Sequence, residues 1–137
     1  MLSIAICTYN RAPLLDKAIK SIISSATRAR RKIELVIVDD ASNQETFITH
    51  NKYCMSSAYV EFKYVYLRNN VNLGIARSIA IESCSNKFIA FLDDDVLIPK
   101  EWIRNVLKKI KQNPHFSLIG GPIFPKILGK IPLWLDK

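Results

Sequence analysis

The sequence predicts an α/β fold in which helices cover both faces of a mostly parallel sheet. Apolar runs of strand length alternate with segments of helical periodicity, and the runs Ile33 to Val38 and Phe88 to Leu92 are nearly all apolar, as buried strands are. Acidic residues directly follow two of these runs. Ligands of such sheets bind outside the carboxyl ends of the strands, so these acidic residues are the first candidates for a functional site.

The first half of the chain reads as strand, helix and strand. Ile4 to Cys7 is a short apolar run, and the apolar residues between Leu14 and Ala26 then recur at helical spacing. Asn10 can cap this helix, and Pro13 suits its first turn. Ile33 to Val38 is nearly all apolar, as a strand covered on both faces should be.

The second half continues the alternation. Gln44 to Met55 is a weaker helical segment, and Tyr59 to Leu67 alternates like a strand near an edge. A further helix follows the turn that ends at Gly74, and Phe88 to Leu92 forms another buried strand. Pro99 opens the last helix, which ends before a second proline and a short apolar stretch.

Composition limits the class of protein. At 137 residues the chain fits a single domain, with a core over about residues 1–125 and an irregular tail over 126–137. Its three cysteines are far apart and lack metal-ligand spacing, which suits reduced thiols in a cytoplasmic protein. A formal charge of +8 does not identify a partner by itself. We expect no nucleic acid, and a peripheral contact at the cytoplasmic face of the membrane is the minority interpretation.

The acidic run after the strand at Phe88 to Leu92 is the strongest chemical signal. Asp93, Asp94 and Asp95 would repel one another, so a cation should compensate them. Oxygen ligands without a nearby Cys or His favour Mg²⁺ or Mn²⁺, held by one or two carboxylates and substrate phosphates. In extended chain, Asp93 and Asp95 face one side and Asp94 the other. The alternative is a solvated acidic loop that caps the next helix.

Two further segments gain meaning from that run. Asp39 and Asp40 alone predict only a turn, but a second acidic strand end indicates that they share one crevice with Tyr9 and the acidic run. The segment Asn72 to Arg77 places a capping residue and a glycine at a helix start, where backbone N–H groups can receive an anion. It is neither a P-loop nor a dinucleotide-binding pattern, and an ordinary capped helix is its alternative.

Four segments taken together, in this order, resemble family 2 glycosyltransferases of the GT-A fold, a Rossmann-like three-layer sandwich. They are Ser3 to Arg11, Glu34 to Ser42, Asn72 to Arg77 and Phe91 to Asp95. The resemblance covers roughly Leu2 to Trp102.

The resemblance implies a set of residues that bind a nucleotide-diphosphate sugar. They are Thr8, Tyr9, Asn10, Arg11, Asp39, Asp40, Gly74, Arg77, Asp93 and Asp94. Thr8 and Tyr9 would line the base pocket, and Asp40 would bond the base. The acidic run looks like the Asp-x-Asp signature of the family, which implies Asp93 and Asp95 as ligands of Mn²⁺ or Mg²⁺.

The family typically takes UDP-linked sugars and inverts the anomeric centre by direct displacement. A metal neutralises charge on the departing diphosphate while a carboxylate base deprotonates the acceptor hydroxyl. That base is typically an aspartate well beyond the Asp-x-Asp motif, but Asp136 is the only aspartate after the acidic run here. We therefore expect a truncated enzyme whose catalytic base is unknown and whose acceptor is a saccharide or a lipid-linked group.

Two alternatives remain open from the sequence. The first is a non-catalytic fragment that binds a nucleotide without transferring a sugar. The second is a phosphoacceptor domain of the receiver type, because an acidic pair after a strand also occurs there. Such domains carry the pair after their first strand, whereas Asp39 and Asp40 follow the second.

Overall fold

The computed structural model describes residues 1–54 and 57–126, and strands and helices alternate through them. The elements are β1 (Leu2–Thr8), α1 (Ala12–Ala29), β2 (Ile33–Asp39), α2 (Gln44–Asn51), β3 (Val60–Tyr66), α3 (Leu73–Ser83), β4 (Phe88–Phe91) and α4 (Trp102–Gln112). The predicted fold class is therefore confirmed.

The four strands form one sheet in the order β3-β2-β1-β4, and every neighbouring pair is parallel. All seven residues of β2 are buried, which confirms a strand covered on both faces. Because the strands are parallel, their carboxyl ends at Thr8, Asp39 and Phe91 lie along the same edge of the sheet. The acidic segments that follow β2 and β4 are thereby brought to one place.

Helices pack on both faces of the sheet and complete three layers. On one face, Ile4, Ile6 and Leu35 pack in a core that includes Ile19 of α1 and Ile103 of α4. On the other face, small side chains of β1 and β2 meet Ala76 and Ala80 of α3. The alternation of side chains along each strand sends successive residues to the two cores.

A buried polar cluster lies between the opposite, amino ends of the strands. Glu34 accepts hydrogen bonds from the Ser3 hydroxyl, the Ser85 backbone N–H at 2.8 Å and the Ser85 hydroxyl at 2.8 Å. The Ser3 oxygen in turn accepts bonds from the backbone and side-chain nitrogens of Asn86 at 3.3 and 3.0 Å. Burial raises the pKa of Glu34, but the bonds from Ser3 and Ser85 outweigh it and the net shift is downward. This cluster joins β1, β2 and the segment before β4.

Several element predictions need correction. The prediction of β4 as a buried strand is wrong, because β4 occupies the open edge of the sheet, where Phe88 and Phe91 are exposed. Asn10 does not cap α1: its φ is 53°, and its side-chain oxygen accepts a bond from the Asn43 backbone N–H instead. Arg11 occupies the N-cap position without a side-chain cap, while Pro13 lies in the first turn as predicted.

Other boundaries differ only slightly from the sequence prediction. The helix predicted to reach Met55 ends at Asn51, and Met55 itself lies outside the described residues. The edge position predicted for β3 is confirmed. The apolar stretch at residues 116–119 is exposed and outside any helix or strand, and most of the predicted tail, from residue 127 onward, also lies outside the described part.

Among the described residues, no helix combines the length and apolar character that crossing a bilayer requires. All three cysteines are free.

Candidate functional site

A crevice opens at the carboxyl edge of the sheet, above β1 and between the segments that follow β2 and β4. Its volume is about 440 Å³, within the range of small-molecule sites. The lining residues are Cys7, Thr8, Tyr9, Arg11, Asp40, Leu73, Arg77, Asp93, Asp94 and Asp95. The shared crevice predicted from the two acidic strand ends is thus present, with Asp40 in its wall but not Asp39.

Asp94 is the buried member of the acidic run and joins β1 to the segment after β4. Its carboxylate accepts a hydrogen bond from the Thr8 hydroxyl at 2.7 Å and one from the Arg11 guanidinium at 3.1 Å. Its side chain is only 6% exposed, so these two donors replace most of the water it would otherwise bind. The bond from Arg11 also raises the pKa of that guanidinium.

Asp93 and Asp95 lie on the open side of the crevice. Arg77, one turn into α3, donates to Asp93 at 3.1 Å, and Arg11 lies 3.4 Å from Asp95. The two aspartate side chains are 66% and 50% exposed. Asp93 and Asp95 therefore face solvent while Asp94 faces inward, in agreement with the predicted alternation.

The charge in the crevice is negative although the chain as a whole is basic. Four aspartates and two arginines line it, which leaves two uncompensated negative charges. Within the described part of the chain, no three Asp, Glu, His or Cys side chains converge as a preformed metal cluster. Arg11 and Arg77 compensate part of the charge of the acidic run, for which the sequence predicted a metal ion.

Asp40 is held from the side of the chain that precedes α3. Its two carboxylate oxygens accept bonds from the Val71 backbone N–H at 2.8 Å and the Asn70 side-chain amide at 3.0 Å. The same amide donates to the backbone carbonyl of Asp40 at 3.2 Å. Asp40 is 6% exposed, so its orientation is fixed before any ligand arrives.

Asp39 lies beneath the crevice and is completely buried. One carboxylate oxygen accepts a bond from the Tyr64 hydroxyl, and the other accepts one from the Ser42 backbone N–H at 2.8 Å. The Ser42 hydroxyl oxygen accepts a bond from the Asn10 backbone N–H at 2.8 Å. Asp39 thus supports the turn after β2 and has no exposed surface for a ligand.

Cys7 forms part of the crevice wall at the end of β1. Burial raises the pKa of its thiol to about 11, although the nearby Arg77 acts in the opposite direction. The thiol is therefore protonated near neutral pH and is not a nucleophile there.

The predicted binding residues divide into two groups. Seven of the ten line the crevice, and so does Asp95. Asn10, Asp39 and Gly74 do not: Asn10 and Asp39 brace the loops behind it, and Leu73 occupies the wall next to Gly74. Sequence reasoning missed Asn70 and Cys7. For Asn70 the only sequence signal was its place in the turn before α3.

Comparisons with known proteins agree with this geometry. The family model described as Glycosyl transferase family 2 matches residues 3–128. An uncharacterized glycosyltransferase of Haemophilus influenzae is 24% identical over 123 residues, which cover 88% of this chain and 36% of that protein. The chain thus spans about a third of the length of this relative.

Solved structures give the same fold. S. aureus TarS 1-349 in complex with UDP-GlcNAc superposes with a TM-score of 0.74 at 23% identity, covering 91% of this chain and 37% of that one. The mannosyltransferase PcManGT from Pyrobaculum calidifontis, in complex with GDP-Man and Mn²⁺, gives a TM-score of 0.70 at 22% identity, covering 80% and 32%. Since the family model spans nearly the whole chain, this protein belongs to glycosyl transferase family 2.

Proposed function

We propose that the crevice binds a nucleotide-diphosphate sugar, with UDP as the nucleotide, for metal-dependent transfer of the sugar to an acceptor hydroxyl with inversion. The observation that carries this proposal is the pairing of a fixed Asp40 at one end of the crevice with the acidic run at the other. Family membership supports it, and so do two similar structures, one in complex with UDP-GlcNAc and one in complex with GDP-Man and Mn²⁺.

The base would lie against Tyr9 and Asp40. The Tyr9 ring is half exposed at the crevice wall, which suits stacking on a planar base. Each oxygen of Asp40 already accepts a bond, and its remaining lone pairs can accept an N–H from the base edge. A uracil ring offers one such N–H group.

The diphosphate would lie at the other end, near the acidic run. The three aspartates of the acidic run outnumber Arg11 and Arg77 by one negative charge, which would repel a diphosphate, so the proposal requires a divalent cation. The exposed carboxylates of Asp93 and Asp95 fit Mn²⁺ or Mg²⁺, which are commonly held by one or two carboxylates with phosphates and water completing the shell. Such an ion would neutralise the charge of the departing diphosphate. Arg11 and Arg77 would assist by donating to phosphate oxygens.

The catalytic base is not assigned. The four crevice aspartates all belong to the donor part of the proposal, and Asp136 lies outside the described residues. The acceptor is proposed to be a saccharide or a lipid-linked group.

Calorimetric titration with UDP tests the donor proposal. Wild type should bind UDP in Mn²⁺ and lose at least about tenfold in affinity in EDTA, and Asp95→Ala should remove most of the metal dependence. Glu82→Ala, which changes an exposed carboxylate on α3, is the matched control and should bind as wild type does. Failure of wild type to bind UDP contradicts the donor site, whereas equal binding in EDTA contradicts only the metal.

A non-catalytic nucleotide-binding role is the second candidate. The observation in its favour is that each of the four aspartates lining the crevice already accepts a hydrogen bond within the described part of the chain. It predicts binding of UDP-GlcNAc without release of UDP, and a coupled assay for UDP release, with and without added acceptor saccharides, separates the two. Family membership favours both over the receiver-type phosphoacceptor domain.

A further inference from the structure

We propose that Tyr64 is a positioning residue for the nucleotide base, although it lies on the edge strand β3 and outside the crevice wall. Through Asp39, it holds the two loops that present Asp40 and Tyr9. This inference rests on the proposed donor site and adds a determinant of its base specificity.

Asp39 depends on the Tyr64 hydroxyl for one of its two hydrogen-bond donors. A fully buried carboxylate is costly unless donors replace its hydration. No Lys or Arg among the described residues forms an ion pair with Asp39, so the Tyr64 hydroxyl and the Ser42 N–H carry this role. Without the hydroxyl, one carboxylate oxygen would lose its donor and Asp39 would have to move or recruit water.

Tyr64 is itself held in place by its neighbours. Its ring packs edge-on against Phe47 with centroids 5.5 Å apart, and its centroid is 4.6 Å from that of His50. Burial, followed by the bond to Asp39, raises the pKa of Tyr64, so the hydroxyl remains a donor at physiological pH. Tyr64 is therefore a fixed donor on a strand that does not touch the crevice.

Two turns with strained backbones connect Asp39 to the crevice. The Ser42 N–H that bonds Asp39 closes a turn around Ala41, whose φ is 65°. Asn10 also has a positive φ, of 53°, and its backbone N–H donates to the Ser42 hydroxyl oxygen. Residues other than glycine rarely hold this conformation unless their surroundings impose it.

These two turns place the proposed base contacts. Ala41 follows Asp40 and Asn10 follows Tyr9, so the strained residues are the immediate neighbours of both crevice residues. The Asn10 side-chain oxygen also accepts a bond from the Asn43 N–H at 2.8 Å, which fastens the two loops to each other. A change at Tyr64 should therefore alter recognition of the base more than recognition of the diphosphate, because Arg77 of α3 and its partner Asp93 lie outside these two turns.

The test compares two nucleotides that share a diphosphate but differ in base. UDP and ADP are titrated calorimetrically in Mn²⁺ into wild type and Tyr64→Phe, at a temperature where circular dichroism shows both fully folded. Tyr64→Phe keeps the ring and removes only the hydroxyl. Its affinity for UDP should fall about tenfold, as expected if the displaced Asp40 loses one hydrogen bond to the base, while its affinity for ADP stays within about twofold.

The matched control is Tyr66→Phe, at the exposed last residue of the same strand. The Tyr66 hydroxyl makes no hydrogen bond within the described part of the chain, and this variant should bind both nucleotides as wild type does. If Tyr64→Phe does not fold, Ser42→Ala removes the acceptor of the Asn10 N–H and should produce the same selective loss.

Three results would overturn the inference. Tyr64→Phe could bind UDP within twofold of wild type, lose UDP and ADP equally, or match the loss seen in Tyr66→Phe. An equal loss would indicate a structural role without positioning. Failure of wild type to bind UDP at all would instead remove the donor site, and the positioning role with it.

Discussion

Removal of the Ser3 hydroxyl should destabilise the protein in a way that depends on pH. Ser3→Ala deletes the donor to buried Glu34 and the acceptor of two Asn86 nitrogens. A hydrogen bond to a charged group contributes about 1.5–3 kcal/mol, and the part-buried Asn86 N–H left without a partner costs about 1 kcal/mol. The free energy of unfolding near pH 7 should therefore fall by about 3 kcal/mol, which corresponds to roughly 10 °C in Tm for a domain of this size.

The pH dependence follows from the lowered pKa of Glu34. Its pKa in the folded state lies below the ordinary value of 4.5, so its contribution is complete above that value and is lost as the pH falls through the folded pKa. The difference between wild type and Ser3→Ala should therefore shrink as the pH falls through the folded pKa of Glu34, because a hydrogen bond to a neutral carboxyl contributes less than one to a carboxylate.

Urea unfolding followed by circular dichroism, at pH 7 and at a series of acidic pH values, measures both quantities. Thr27→Ala, at an exposed position near the end of α1, is the control and should change stability by less than about 0.5 kcal/mol. A loss below about 0.5 kcal/mol for Ser3→Ala at pH 7, or a larger loss at low pH than at neutral pH, would refute this account of the cluster. Affinity for UDP should not change, because the cluster lies at the opposite edge of the sheet from the crevice.

Two further predictions concern the crevice itself. Arg77→Ala should weaken UDP binding in Mn²⁺ by about tenfold, because the crevice then carries one more uncompensated negative charge. The control, Arg104→Ala on the exposed side of α4, should bind UDP as wild type does. Equal affinities of Arg77→Ala and wild type in calorimetric titration would contradict the role of Arg77. Cys7 should react slowly with iodoacetamide at pH 8, because a pKa of about 11 leaves roughly one thiol in a thousand ionised. Peptide mass spectrometry should find the exposed Cys54 modified first. Labelling of Cys7 at the same rate as Cys54 would contradict the raised pKa of Cys7.

The sequence predicted the fold because its local signals agree with the global arrangement. The nearly continuous apolar run at Ile33 to Val38 predicted a strand covered on both faces, and the side-chain oxygen of Asn72 accepts a bond from the Ile75 N–H at the predicted start of α3. The acidic ends of β2 and β4 were expected to meet, since parallel strands bring their carboxyl ends to one edge.

The failures have a common physical cause, which is that residue type does not specify a long-range partner. Asn10 is a residue type typical of helix caps. Its side-chain oxygen instead accepts a bond from the N–H of Asn43, 33 positions away, while its backbone adopts a left-handed conformation. Phe88 to Phe91 is as apolar as a central strand, and only the strand order places it at an edge. Asp39 and Asp40 are adjacent and identical, yet one is buried under Tyr64 and the other faces the crevice.

The strand order has a consequence for synthesis of the chain. Leu2 to Ala5 pair with Phe88 to Phe91. During translation, one edge of β1 therefore stays unpaired until the ribosome has added more than eighty further residues. At about 5–20 residues per second, that wait lasts roughly 4 to 17 s on the ribosome. Until then β1 can pair only with β2, and its other edge presents unsatisfied backbone groups next to apolar side chains. Nascent chains of this protein should therefore need chaperone protection until β4 has emerged from the ribosome.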